Sequence, residues 1–209
     1  MLKKKLFAKF LFVFIIFNSN LLAAEKELLH VDWSFKGFTG KFDRSSLQRG
    51  YQVYNEVCAS CHSMSLLSYR NLGEPGGPEF PLDEVKNIAA SFEVTDGPDE
   101  QGEMFTRPGR PSDKFVSPYP NVKAAIAANG GAYPPDMSVL VKSRKGGADY
   151  IYSVLMGYED PPPNIKLDDG VYYNKFMDGN KIKMSKPLMD DIITYADGTK
   201  ATEMQMAKD

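Results

Sequence analysis

The 209-residue sequence predicts a mainly α-helical domain with long irregular insertions, and three observations carry that reading. Apolar residues recur at helical spacing in several short stretches, opened by capping residues and closed by glycine or proline. Fourteen prolines and seventeen glycines demand much irregular backbone between those stretches. The third observation is the run Cys58-Ala59-Ser60-Cys61-His62, the attachment pattern of a c-type haem. A large apolar cofactor can hold together chain that regular elements do not.

The first residues are expected to lie outside the fold. Lys3, Lys4, Lys5 and Lys9 precede an apolar run, Phe10 to Phe17, and small residues follow at Ala23 and Ala24. That is the layout of a secretory signal peptide, residues 1–24, and the run is too short to span a bilayer. The expected mature domain is residues 25–209. Removing the leader takes four of the 25 basic residues and no acid, leaving 21 against 27 acidic residues and a net charge of −6. This balance disfavours nucleic acid as a partner and suits a basic protein.

In chain order, residues 25–44 read as irregular, with His30, Trp33 and Phe35 as bulky members. Ser45 with Gln48 reads as a capping box, opening a helix from about Ser46 whose apolar face is Leu47, Tyr51, Tyr54 and Val57. Gly50 in its middle predicts a close approach of another helix. Met64 to Asn71 has room to continue as helix until Gly73–Pro78 breaks it, and Leu82 to Phe92 has weak helical periodicity. Asp96 to Pro120 reads as a loop. Its acids Asp96, Asp99, Glu100 and Glu103 form either a docking surface or a solvated loop.

Asn121 caps a short helix, Val122 to Asn129, closed by Gly130-Gly131. Further helices are expected over Met137–Lys145 and Ala148–Tyr158, the last stopped by Pro161-Pro162-Pro163. Residues 164–184 are mixed, with room for short strands. Thr202 with Gln205 caps a final helix from Glu203 that reaches Asp209 after about two turns, too short to be stable alone. Either this helix continues beyond Asp209 or the end is a frayed tail.

The chemistry turns on the motif. Each thiol of Cys58 and Cys61 can add to a porphyrin vinyl group, and His62 then reaches the iron, its other ring N–H meeting an acceptor such as a backbone carbonyl. A thiol oxidoreductase would place Cys-x-x-Cys at a helix N-terminus beside a βαβ unit, whereas this pair follows a helix. A zinc site would have only these cysteines, His30 and His62 to draw on, and a plain disulfide leaves His62 without a role. Haem c, one group covalently attached, is the favoured cofactor. The sixth ligand is open among Met104, Met137, Met156, Met177, Met184 and Met189, with His30 as the bis-histidine alternative. Met184, outside a periodic helix and stiffened by Pro187, is modestly preferred.

Several stretches together resemble the cytochrome c1 family. They are Arg49-Gly50-Tyr51-Gln52-Val53-Tyr54 leading into Val57–Met64, Gly102-Glu103-Met104-Phe105 with Arg107-Pro108-Gly109, and Asn129-Gly130-Gly131-Ala132-Tyr133-Pro134-Pro135-Asp136. Gly146-Gly147-Ala148-Asp149-Tyr150 and Asp197-Gly198-Thr199-Lys200-Ala201-Thr202 complete the set, which runs from about Trp33 to Asp209. The haem motif alone is common to all c-type cytochromes; the ordered set is what is specific.

The resemblance implies a cytochrome c-type haem domain of the quinol–cytochrome c oxidoreductase (cytochrome bc1) complex. Its partners would be cytochrome b, the Rieske iron–sulfur protein and a soluble or membrane-bound cytochrome c. It implies His62 and Met184 as iron ligands, and a haem pocket at Asn129, Ala132, Pro134, Pro135, Leu140, Arg144, Tyr150 and Ile182, with Arg144 on a propionate. It also implies export to the periplasmic face of the inner membrane, and a membrane anchor after the final helix that this chain does not include. No residue is expected to be catalytic, because the chain makes no bond in a substrate. Around the ligand methionine the family has small residues and prolines, where this chain has Lys183 and Lys186. A free periplasmic c-type cytochrome, or the haem subunit of another dehydrogenase, is the alternative reading.

Overall fold

Helix α1 (Arg44–Glu56) is opened by Asp43, whose carboxylate accepts from the Ser46 amide at 3.0 Å. The capping box expected from Ser45 and Gln48 does not form. An aspartate cap also meets the positive end of the helix dipole, and Gln48 donates instead to the Pro78 carbonyl at 2.8 Å. The computed structural model describes residues 26–209, so the expected signal peptide, residues 1–24, lies outside the described residues.

Two apolar clusters flank α1. Tyr54 packs with Tyr69, Leu72, Val85, Ala89 and Phe115, and Val53 with Leu188, Ile193, Tyr195, Ala201 and Met206. Val53 lies off the face expected from periodicity, because a helix between two clusters buries a wider stripe. Cys58, just past the end of α1, touches both clusters.

Beyond the motif the chain does not continue as helix. Residues 64–68 are held as loop by hydrogen bonds to other segments, and a single 3-10 turn follows at Tyr69–Gly73. Helix α2 (Leu82–Ala90) buries Val85 and Ala89. It leads into strand β1 (Glu93–Asp96), which pairs antiparallel with β2 (Phe105–Pro108). This hairpin lies partly in a region the sequence reads as loop. It is braced by Arg107, which reaches Asp96 and grips Asp113 at 2.6 and 3.0 Å. Asp96 is therefore engaged within the hairpin, and Asp99 accepts from the Gln101 and Glu103 amides, while Glu100 and Glu103 are exposed.

Helix α3 (Val122–Ala128) is capped by Asn121, whose Oδ1 accepts from the Ala124 amide at 3.0 Å, as expected. The helix expected over Met137–Lys145 is a series of turns. Its branched members Val139 and Val141 are exposed, and Met137 with Leu140, both half-buried, make too short an apolar stripe to hold a helix. Helix α4 (Gly147–Met156) follows, and then strands β3 (Tyr172–Tyr173) and β4 (Lys181–Ile182) pair as a second hairpin. Helix α5 (Glu203–Lys208) has the expected cap, Thr202 Oγ1 accepting from Gln205 N at 3.1 Å, and packs on α1 and α4. Its end passes so close to α1 that a Cβ on Gly50 would lie 2.3 Å from the Asp209 carbonyl oxygen.

Residues 26–36 form a strap along α4. Asp149 collects His30 Nδ1, the Val31 amide, Trp33 Nε1 and Lys36 Nζ, and the Leu29 amide donates to Ser153 Oγ at 2.8 Å. Helices are the main regular structure among the described residues, beside the two small hairpins. No helix there is long and apolar enough to cross a membrane.

Candidate functional site

The end of α1 delivers the motif. A single 3-10 turn, Cys58–Ser60, continues the chain direction, with the Cys61 and His62 amides both donating to the Cys58 carbonyl at 3.1 and 2.9 Å. His62 leaves this turn half-buried, and its Nδ1 lies 2.8 Å from the Pro135 carbonyl oxygen. A carbonyl only accepts, so Nδ1 carries a proton, and in the neutral ring Nε2 presents the lone pair. That is the tautomer a metal-binding imidazole needs, and the acceptor is of the kind expected from sequence.

The two thiols are free. Burial, with a smaller contribution from neighbouring Cys61, pushes the Cys58 thiol up to about 11. An activated nucleophilic cysteine is shifted the opposite way. An apolar, desolvated sulfur between two hydrophobic clusters suits a thioether instead. The residues therefore fit a covalently held porphyrin: two sulfurs on one turn and an imidazole with a free nitrogen beside them.

Pro135 is held in place through its neighbour. Asp136 Oδ2 accepts from Ser63 Oγ at 2.9 Å, Ser65 N at 2.9 Å and Ser65 Oγ at 2.7 Å, and Oδ1 accepts from Ser138 N at 2.8 Å. Burial raises the Asp136 carboxyl, but the hydrogen bonds from Ser138 and Ser65 outweigh it and hold the group well below the usual carboxylate range. A cleft of about 250 Å³ opens beside these residues, taking in Cys61, Tyr119, Tyr133, Pro134 and Asp136 but not the imidazole.

The remaining site residues expected from sequence form a second group. Asn129 ends α3, its side-chain amide donating to the Ala125 carbonyl at 2.7 Å, and Ala132 N donates to Asn129 O at 3.0 Å. Lys183 Nζ reaches across to the Gly130 carbonyl at 2.7 Å, so it ties this turn to the Ile182–Met184 segment. Met184 is half-buried, and its carbonyl accepts from Tyr158 OH at 3.0 Å. Lys186 forms an ion pair with Glu203 at 2.7 Å. Lys183 and Lys186 thus anchor both sides of the methionine.

Among the other ligand candidates, Met104 and Met189 are largely exposed, Met137 packs beside the Tyr54 cluster, and Met177 Sδ lies 3.5 Å from Tyr150 OH. His30 is exposed and turned to Asp149. Leu140 is half-buried in the turns after Asp136, and Arg144 is exposed, donating to Ser143 Oγ at 3.2 Å. Among the described residues, Arg144 forms no ion pair with a carboxylate. Sequence reasoning gave no role to Asp136, Ser63, Ser65 or Tyr158. Only Asp136-x-Ser138 carried a local signal, that of an Asx turn.

A model of the family described as "Cytochrome C1 family" matches residues 33–209. A mitochondrial relative from Arabidopsis thaliana, "Cytochrome c1 2, heme protein", is 50% identical over 177 residues, covering 85% of this chain and 57% of the relative. Cytochrome c1 of Rhodospirillum rubrum is 48% identical over 194 residues, covering 85% of this chain and 70% of the relative. The mitochondrial cytochrome c1 heme protein of Saccharomyces cerevisiae is 51% identical over 196 residues, covering 92% of this chain and 62% of the relative. The chain thus spans a little over half the length of the Arabidopsis relative.

Proposed function

The chain belongs to the cytochrome c1 family, and from that premise we propose that it is the haem-bearing electron relay of a quinol–cytochrome c oxidoreductase. It takes one electron at a time from a Rieske iron–sulfur protein and delivers it to a cytochrome c, in a complex that also holds cytochrome b. Its enzymatic role is that of a subunit. Residues 25–209 serve as the haem domain, exported by the leader to the periplasmic face of the membrane, with the anchor following the final helix.

The observation that carries this reading is the 2.8 Å contact between His62 Nδ1 and the Pro135 carbonyl, which leaves Nε2 free beside Cys58 and Cys61. Haem c, when bound, supplies a one-electron iron couple. The chain supplies the rest. Cys58 and Cys61 would hold the porphyrin by two thioether bonds, and His62 would supply a nitrogen ligand to its iron. Met184 would supply a sulfur ligand, which favours the reduced state and raises the potential. Asn129, Ala132, Pro134, Leu140, Tyr150 and Ile182 wall the pocket and exclude water. Arg144 would hold a propionate by a charge-assisted hydrogen bond. The net negative charge of the mature chain steers a basic cytochrome c, with Glu100 and Glu103 among the exposed acids of the hairpin.

A pyridine haemochrome spectrum of the full-length protein, expressed with export and haem-attachment machinery, tests the reading. One haem per chain that survives acid–acetone extraction is the expected result. A chain that emerges without covalent haem restores the thiol-oxidoreductase reading. Co-purification with cytochrome b from detergent-solubilised membranes separates the complex subunit from a free periplasmic carrier.

A further inference from the structure

His62 and Pro135 are 73 residues apart in sequence, yet one hydrogen bond between them sets where the imidazole proton lies. Such a contact is only as constant as the two backbone segments that carry it. Pro135 cannot help, because proline has no N–H with which to anchor its own peptide. The anchoring falls to the next residue.

Asp136 joins the two segments directly. Its Oδ2 gathers Ser63 Oγ, Ser65 N and Ser65 Oγ, all within three residues after His62, at 2.9, 2.9 and 2.7 Å. Its Oδ1 takes the Ser138 amide at 2.8 Å, which closes the turn that follows Pro135. Two further bonds run in parallel, Met137 N to the Ser63 carbonyl at 2.8 Å and Leu66 N to Ser138 Oγ at 3.0 Å. One carboxylate therefore locks residues 63–65 to residues 136–138, immediately beyond both partners of the His62–Pro135 bond.

We propose that Asp136 is a positioning residue for His62. By clamping the two segments in register it keeps the Pro135 carbonyl on Nδ1, and so maintains both the ring orientation and the electron-donating strength of the iron-facing nitrogen. The carboxylate does not touch the imidazole; it acts through the backbone. This rests on the reading of His62 as a haem ligand.

The test uses the full-length, membrane-assembled protein and three variants: Asp136→Ala, Asp136→Asn and the double variant Ser63→Ala/Ser65→Ala. Two readouts are taken, the midpoint potential by optical redox titration and the low-spin ferric EPR g-values, which follow the orientation of the axial ring. A loosened Nδ1–H···O=C bond makes His62 a weaker donor to ferric iron, so the expected potential shift is upward, accompanied by altered or broadened g-values. The serine pair is the discriminating arm, because it keeps the Asp136 charge and removes two of its hydrogen bonds. An upward shift with altered g-values in the serine pair supports positioning. A serine pair indistinguishable from wild type overturns it, whether or not Asp136→Asn shifts the potential, since a shift confined to the aspartate variants is a charge effect. Where Asp136→Ala fails to assemble, the serine pair decides alone. Wild-type protein lacking covalent haem defeats the ligand reading itself, whereas haem-loaded wild type with unmoved variants defeats only the positioning role.

Discussion

Arg49 and Asp209, 160 residues apart, form a two-point ion pair: Nε lies 2.8 Å from Oδ2 and Nη2 2.9 Å from Oδ1, with the carboxylate side chain wholly buried. Ser46 Oγ and Gln205 Nε2 complete its set of donors at 2.8 and 2.9 Å. Through this pair the end of α5 is pinned to the first turns of α1, the helix that delivers Cys58.

Asp209→Ala is expected to destabilise the domain by about 3 kcal/mol, because it leaves a largely buried guanidinium short of its main partner. Gly50→Ala is expected to cost about 1–3 kcal/mol, since the new methyl would meet the Asp209 carbonyl. The double variant should lose less than the sum, the end of α5 being already displaced. Urea midpoints followed by circular dichroism measure all three. Unchanged midpoints in both single variants would show that α5 contributes nothing to the fold.

Acid should weaken the fold in a definite window. Burial raises the Asp209 carboxyl, but Arg49, Gln205 and Ser46 bring it below its ordinary value. Asp149 is likewise raised by burial and brought well below by Lys36, Trp33 and His30. A folded value below the unfolded one, about 3.9, means that the unfolded chain binds protons first as pH falls. The contribution is therefore complete above roughly pH 5 and is lost progressively below it. Thermal midpoints should be flat from about pH 7 to 5 and then fall, with Asp149→Asn showing a shallower fall. An Asp149→Asn profile parallel to wild type contradicts the assignment.

The strap has its own readout. Asp149→Ala removes the acceptor shared by His30, Val31, Trp33 and Lys36. Hydrogen–deuterium exchange at the Val31 amide should rise by at least tenfold, whereas amides in α2 keep their wild-type rates. Unchanged exchange at Val31 would mean that the strap is held by its aromatic contacts instead.

For the sixth ligand, Met184→Leu should abolish the weak charge-transfer absorption of sulfur-ligated ferric haem and lower the potential. Persistence of both would redirect the search to Met177 or Met189. Tyr158→Phe, which deprives the Met184 carbonyl of its donor, should weaken the loop by about 1 kcal/mol. That loss would be read as an earlier urea midpoint for disappearance of the same band.

Much of this protein is legible residue by residue. Asn121 and Thr202 announce the helices they cap, because an N-cap bond spans only three residues and its energy is local. Elsewhere local reading went astray where distant chain supplied the decisive bond. Asp43 displaced Ser45 as the cap once Gln48 found Pro78. Residues 137–145 lie between a start signal, Pro134-Pro135-Asp136, and a glycine pair, but with Val139 and Val141 exposed only Met137 and Leu140 turn inward, too few to hold a helix. The β1–β2 hairpin was invisible in a proline- and charge-rich stretch, since its pairing is stabilised by Arg107 between Asp96 and Asp113.

The sequence by itself determined the chemistry available: two sulfurs and an imidazole within five residues, a methionine set against Pro187, and a surplus of acid. Covalent reactivity and ligand type reside in single side chains, so order and spacing suffice to declare them. Only the tertiary structure decided which carbonyl orients His62, which carboxylate clamps that carbonyl, and which buried pair pins α5 over Gly50. Each of those contacts closes a loop of more than 70 residues. Closure entropy grows only slowly with such lengths, so many partners compete on nearly equal terms. Packing around α1 selects among them, and no local pattern records the choice.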